Sequence, residues 1–320
     1  MATEGALLTA FKKGAGLIKD QVQISRLRAA IESRDIQSVL NEIDISESAW
    51  DDLRVQLVQT YAEGGVSEVD GMAYRDRPRW NSATSQSERY AREVIGAHIT
   101  RITEDSRSAV RMIVGDGLAF GRSVDRIAVD IIGRRDGTTR TGGVVGLNQQ
   151  QAQWVLNMRG WLTDNPSQAL EYSRRDKRFD AVIRAAVNDG KPLTQAQIDR
   201  ITAAYAAKLL LSRGRTIART ERQAAINAGR QEAWRQAAER LGLPLQAVRK
   251  TWVHSTRKME PRPFHLNAGR EKQTVQGLNS PFFIGGFTPL YPHDPNLPAS
   301  EVVNCSCSVK YSINRNWRNG

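Results

Sequence analysis

A chain of 320 residues is long enough to bury a substantial core and, by ordinary domain size, to form two or three units. Its 40% hydrophobic content and mean hydropathy of -0.48 describe a folded protein with much polar helical surface, not a fibre or a disordered chain, and no apolar run is long enough for a membrane-spanning helix. The 46 Lys and Arg against 34 Asp and Glu give a formal charge of +12, which favours an anionic partner such as nucleic acid or an acidic protein surface, a solvated basic surface being the alternative.

The apolar stretch from Ala6 to Phe11 is short and has lysines after it, unlike a secretory signal. Two cysteines make no disulfide framework, so a reducing cytoplasmic origin is expected.

Residues 1–63 read as N-terminal helices, because Leu7, Phe11, Leu17 and Ile18, then Ile24, Leu27 and Ile31, recur at helical spacing. Ser46 is the next start signal, ahead of Ala49, Trp50, Leu53, Leu57 and Tyr61, and Gly64-Gly65 is expected to end that helix. Residues 64–87 then read as an extended arm or linker in which Tyr74, Arg75, Arg77, Pro78, Arg79 and Trp80 interleave aromatic rings with guanidinium groups. Such a segment can stack on bases, or it can anchor an arm to its own protein or to a neighbouring copy. Stacking sites are built on folded platforms, and none is evident here, so the arm is the reading adopted.

Residues 88–146 form a helical segment and a Gly-rich loop. Val94, Ile95, Ile99, Ile102, Val110 and Ile113 face a core, and His98 among them reads as a packed residue, since a metal needs several donors together. The loop from Gly133 to Gly146 lacks the Gly-Lys-Ser/Thr ending of a phosphate-binding loop and reads as a flexible basic linker or a protein contact. Residues 147–243 form a central helical domain. Asn148 caps a helix through Trp154, Val155 and Met158; a second runs from Pro166 to Val187, and its charges between Arg174 and Arg178 read as a solvated face. Thr194-Gln195-Ala196-Gln197 has the form of a capping box. Beyond it Ile198, Ile201, Tyr205 and Leu209 mark one face, Gly214 interrupts or kinks the pattern, and Trp234, Ala237, Ala238 and Leu241 resume it up to Gly242, as a hairpin or as one long bent rod.

Residues 244–320 change character and read as a small, loop-rich α+β module. Val248, Lys250, Trp252 and His254 alternate with Arg249, Thr251 and Val253 as in a strand, and the prolines at 261, 263, 281, 289, 292, 295 and 298 forbid long regular elements. The expected fold class is therefore a mainly α N-terminal and central region followed by this small α+β domain. A module of this kind needs something to hold its loops, and His254, His265, His293, Cys305 and Cys307 are donors suited to tetrahedral zinc. Cys-x-Cys places both sulfurs on one side of an extended chain, where a disulfide between them is strained. A thiol-bearing packed core without metal is the alternative.

The order Ile-Ala-Arg-Thr-Glu at 217–221, then Asn227, Gly229 and Arg230, then Trp252, His254, Arg262 and His265, then Tyr291-Pro292-His293-Asp294-Pro295 and Asn304-Cys305-Ser306-Cys307 resembles the phage Mu F-like minor head proteins, also called phage head morphogenesis proteins. The likeness covers the chain from about Asn148 onward. Glu260 stands where the family usually has aspartate, His293 where it often has glycine, and Ser306 where it tends to have arginine.

The resemblance implies a structural minor component of a tailed-phage virion, located at the portal vertex and capsid interior and needed for head assembly or DNA delivery. It implies portal protein and major capsid protein as partners, with Tyr74, Arg75, Arg77, Arg79 and Trp80 as candidate contacts, and non-specific contact with packaged DNA through counterion release. In that reading no residue is catalytic, and Arg219, Thr220, Glu221, Trp252 and Arg262 are structural. Glu221 would pair with an arginine of the terminal module, while Trp252 and Phe264 would pack its core. One alternative is a metal-dependent nuclease using His254 and His265 with Asn267, although the dense acidic cluster of a two-metal site is missing. Another is a plain DNA-binding module, although each arginine-rich helix also carries Glu or Asp.

Overall fold

A computed structural model describes residues 3–137, 139–255, 262–314 and 317, so Glu260 lies outside the described residues. The chain is mainly α-helical and has a small α+β region at its C-terminal end. Helices α1 (Glu4–Gln21), α2 (Ile24–Glu32) and α3 (Ile36–Ile43) lead through a 3-10 turn into α4 (Asp51–Gly71). Next, α5 (Ser85–Arg89) passes through a π-helical turn, Tyr90–Ile95, into α6 (Gly96–Ala119), followed by α7 (Val124–Ile132) and a hairpin of β1 (Arg134–Asp136) and β2 (Thr139–Thr141). Then come α8 (Gln149–Asp164), α9 (Pro166–Glu171), α10 (Asp180–Asn188) and α11 (Gln195–Arg240). The terminal region holds β3 (Val248–Val253), α12 (Pro263–Arg270), β4 (Thr274–Gln276), α13 (Ala299–Val302) and β5 (Ser308–Ile313).

Two compact units are interleaved along the chain. The first gathers Met1–Leu8, Leu53–Ala97 and Arg215–Gly320, and the second gathers Thr9–Asp52 and His98–Gly214. Stretches such as 64–87, 88–146 and 147–243 are therefore segments of sequence and not spatial bodies, because periodicity locates a helix without naming the element it packs on. Gly214 neither turns nor divides α11, which runs unbroken for 46 residues. A single glycine costs a helix about 1 kcal/mol, less than its strongly helix-forming neighbours supply.

In the first unit, α4 and α11 approach until their backbones touch. A Cβ on Gly64 would lie 2.8 Å from the Ile226 backbone, and one on Gly229 would lie 2.1 Å from the Tyr61 carbonyl oxygen. The glycine pair read as a helix end is thus the crossing point itself, and α4 continues to Gly71. Gly65 makes room for Trp80, whose ring a Cβ there would meet at 2.2 Å. Residues 64–87 consequently form no extended arm. Their first third is helical, and the remainder is clasped: Trp80 lies 6.2 Å from Tyr61, Arg77 donates to the carbonyls of Asp70 and Met72, Asn81 exchanges two hydrogen bonds with Gln236, and Thr84 donates to Glu232. Of the segment's candidate contacts Tyr74 stands out in solvent, as do Arg75 and Arg79.

The terminal sheet of this unit has the antiparallel order β4-β3-β5. Val248, Lys250 and Trp252 of β3 point inward while Arg249 and Val253 point out, which is the alternation read from the sequence. Lys250 is an inward cation: its ammonium donates to the Leu290 carbonyl at 2.7 Å over the Phe282 ring, and burial brings its pKa down to about 8.

In the second unit Phe11 stacks on Trp50 at 5.3 Å in a core shared with Ile18, Leu27, Ile31 and Ile43. The capping box at Asn148 forms with Gln151. The segment 133–146 is not a flexible linker. After the β1–β2 hairpin, Val144, Val145 and Leu147 are fully buried, Lys19 donates to the Gly142 carbonyl at 2.7 Å, and Gly143 sits at φ +74 where a Cβ would be 2.4 Å from the Gly133 nitrogen. The apolar residues between the glycines decide the matter by carrying the loop inside. Likewise the charged run at 174–178 is a built turn and not a solvated helical face. Arg175 forks onto Asp180 with two bonds of 2.8 Å, and buried Asp176 binds Arg178 while capping the short turn Lys177–Phe179.

The α4–α11 crossing predicts that Gly229→Ala lowers stability by about 1–3 kcal/mol or more, since overpacking a rigid contact forces backbone shifts. Gly160→Ala, in α8 with nothing within 4 Å of the new methyl, is expected to raise stability by about 0.5–1 kcal/mol. Urea unfolding of the two variants checks both signs.

Candidate metal centre

Three of the sequence's candidate ligands converge in the terminal region. Pro263 opens α12 at a position where its missing N–H is harmless, and one turn of helix then carries His265 inward while Phe264 and Asn267 remain exposed. Arg262, just ahead of α12, donates to the carbonyls of Ser300 and Val303 and so places a cation at the C-terminal end of α13. In return Glu301 of α13 accepts from His265 Nε2 at 3.0 Å. This reciprocal clasp leaves Nδ1 of His265 facing the two sulfurs, 3.4 Å from Cys305 Sγ and 3.8 Å from Cys307 Sγ.

The Cys-x-Cys segment is bent by its own contacts. Asn304 adopts a left-handed φ of +59, its N–H donates to Thr220 Oγ1 at 3.0 Å, and the N–H of Cys307 turns back onto Cys305 Sγ at 3.4 Å. Both cysteines are free and buried. One donor atom from each of His265, Cys305 and Cys307 lies within 4.8 Å of the other two, so the group could hold a metal ion. The Cys305 thiol is drawn well below the ordinary thiol range, first by its hydrogen bond with the Cys307 side chain and against the opposing effect of burial. The same contact, with burial, pushes Cys307 up.

The other two candidates sit differently. His254 is outside the group: it ends β3 against Gly269, where a Cβ would come within 2.4 Å of its own Cβ, and it lines a cleft over the sheet with Arg249, Arg270 and Lys310. His293 is buried at φ +69, with Nδ1 3.5 Å from Asn227 Nδ2 and with Nε2 lacking a hydrogen-bond partner among the described residues. Burial lowers its pKa, and the imidazole is not a member of the His265–Cys305–Cys307 group. His254 thus stands outside the His265–Cys305–Cys307 group, and Asn267 is exposed.

Most of the remaining motif residues act as ties. Buried Asn227 donates from one amide to the carbonyls of Pro292 (2.9 Å) and Cys307 (3.1 Å). Arg230 reaches the Val309 carbonyl and Glu68, which also accepts from Trp234. Asp294 takes the N–H groups of Leu290 and Asn296, closing the proline-rich turn. Trp252 is buried edge-on to both His265 and Phe282, as expected of a core residue. Phe264 is not in that core; it is 58% exposed and lies over Gly285, because the inward position on this turn belongs to His265. Arg219 lies 3.7 Å from Glu4, and Glu221 is half-buried. Sequence reading passed over Glu301. Its only signal was a carboxylate four residues ahead of Cys305, and the helical turn that aims it at His265 is visible only in three dimensions.

No family model and no solved structure matches the chain. A stretch of 98 residues, 30% of the chain, is 36% identical to the uncharacterized protein YqbB of Bacillus subtilis, and it spans 29% of that protein's length.

Replacing Asn227 by leucine leaves two buried carbonyls without a donor, each worth about 1–3 kcal/mol, so Asn227→Leu is expected to lose at least about 2 kcal/mol in urea unfolding. Asn157→Ala on exposed α8 should stay within about 0.5 kcal/mol of the parent.

Proposed function

We propose that the chain is a non-enzymatic assembly protein of a tailed-phage head, working at the portal vertex and capsid interior against portal and major capsid subunits, and that its terminal module is stapled by zinc. The observation that carries this reading is the use made of the motif residues. Thr220, Asn227, Arg230, Arg262 and Asp294 bond to the module's own backbone or turns. A protein whose characteristic residues fix its own loops presents a surface, and surface is what an assembly component supplies. Phe264, Phe283 and Phe287 offer exposed rings in that same module, as a contact with another subunit requires.

The geometry favours zinc among metals. Zinc bonds of about 2.3 Å to sulfur and about 2.0–2.1 Å to nitrogen, at tetrahedral angles, separate the two donors by about 3.5 Å. The separations of 3.4 and 3.8 Å bracket that value. The carboxylate on the far nitrogen of His265 is the usual partner that orients a ligating imidazole. A catalytic zinc keeps one position open to water and substrate, whereas His265, Cys305 and Cys307 are 2%, 6% and 3% exposed. This closure supports a structural ion over the nuclease alternative.

Co-expression with the cognate portal protein, followed by affinity purification and measurement of mass and zinc on the same sample, tests both parts. The expected result is a complex containing the chain with about one zinc per chain. Failure to bind portal together with absence from assembled particles would sink the assembly reading. Paired Cys305→Ser and Cys307→Ser substitutions should remove the zinc and lower the Tm; a purified chain without zinc, whose Tm the double variant leaves unchanged, would dispose of the staple.

A further inference from the structure

The second unit contains a cavity of about 970 Å³ bounded by β1, by the built turn at 173–179 and by one face of α11. Its floor is Ala203, Ala204 and Ala207, whose small side chains create the space. Its wall carries Arg134, Arg135, Lys177, Arg178, Arg200 and Lys208, all exposed, and Asp176 is its sole acidic lining residue among those described. Asp176 is already bonded to Arg178, and Asp180 takes Arg175. Arg134, Arg135, Lys177, Arg200 and Lys208 make no ion pair with a carboxylate among the described residues.

Like charges gathered around one concavity repel, and the arrangement loses that energy only when an anion enters. The turn that presents Lys177 and Arg178 is held by Asp176 and by Lys208, which donates to the carbonyls of Arg174 and Arg175, so this part of the cationic wall exists before any ligand arrives. Arg178 and Arg200 are further placed against the ring of Phe179, each 5.9 Å from its centroid. A cavity of this volume accepts a ligand of ordinary small-molecule size or a short length of chain. Within so little space a phosphoryl group brings up to about two charges and three acceptor oxygens on one atom, where a carboxylate brings one charge on two oxygens. Five cations are therefore matched more closely by phosphates than by the few carboxylates a peptide could insert.

We infer that this cavity is a binding site for phosphate oxyanions, carried either by a free polyphosphate compound or by the backbone of a nucleic-acid strand. The site is independent of the head-assembly reading and stands or falls on its own measurement. The full chain is titrated with inorganic triphosphate, with a single-stranded hexanucleotide and with hexaglutamate, at low and at moderate salt. Binding of triphosphate, of the oligonucleotide or of both, weakening with salt, is the expected result, and which of them binds identifies the source. Arg135→Gln combined with Arg200→Gln should weaken it by about tenfold or more, and Arg134→Gln combined with Lys177→Gln should do likewise. Arg249→Gln with Lys310→Gln, the same loss of charge on the exposed face of the terminal sheet, should change it by less than about twofold. All of these side chains are exposed, and unchanged circular dichroism and Tm confirm folding. The inference is overturned if neither phosphate probe binds, if hexaglutamate binds as tightly as they do, or if the sheet-face pair weakens binding as much as the cavity pairs.

Discussion

A buried polar group without a partner costs more than most contacts return, and the terminal region is built around that constraint. Its prolines prevent long strands or helices from absorbing the backbone, so many carbonyls and N–H groups enter the interior outside any ladder. Asn227 answers for two of them at once, reaching the proline-rich turn and the Cys-x-Cys segment from a single position on α11. Arg230 and Arg262 serve other carbonyls, Thr220 and Asp294 serve N–H groups, and Lys250 serves Leu290. The apolar residues Trp252 and Phe282 fill the space that these bonds define. The long helix and the loops are thus fixed by hydrogen bonds aimed at particular backbone atoms together with buried apolar side chains such as Val248, Leu278, Ile284 and Val309.

That mode of construction decides what could be read from the sequence. Helices with a clean apolar stripe, such as that through Trp234, Ala237 and Ala238, are visible in the sequence, as are the alternation in β3, the cap at Asn148 and the capping box between Thr194 and Gln197, because each is a local pattern. Glycine was misleading in both directions. At Gly64 and Gly65 it marks the approach of another helix and not an end, and from Gly142 to Gly146 it lines a packed interior and not a flexible link. In each case the deciding partner, Ile226 or Ala203, lies outside the local pattern. For the candidate centre, residue type found His265, Cys305 and Cys307. Only the fold could separate them from His254 and add Glu301.

The two chemically loaded places in the molecule have opposite characters. The His265–Cys305–Cys307 group is closed, paired and sheltered, which suits a staple and gives a substrate no approach. The cavity beside α11 is open, and several of its cations make no ion pair among the described residues, which suits a ligand that comes and goes. Both arise from the same device: a short loop made rigid by bonds to its own backbone, at Asn304 in one case and at Asp176 in the other.

His293 brings the strands of this reasoning together. Where the resembling family often has glycine, this chain holds an imidazole at φ +69, a conformation that costs a side chain about 1 kcal/mol or more. Burying the ring adds a second cost, seen in its lowered pKa, and its Nε2 is left without a hydrogen bond among the described residues. A residue that is unfavourable on each of these counts must be held by what surrounds it. Asn227 and the turn closed by Asp294 supply the hold. The hydrogen bonds that close this turn offset those costs, so the imidazole is kept in place by the packing of the module around it.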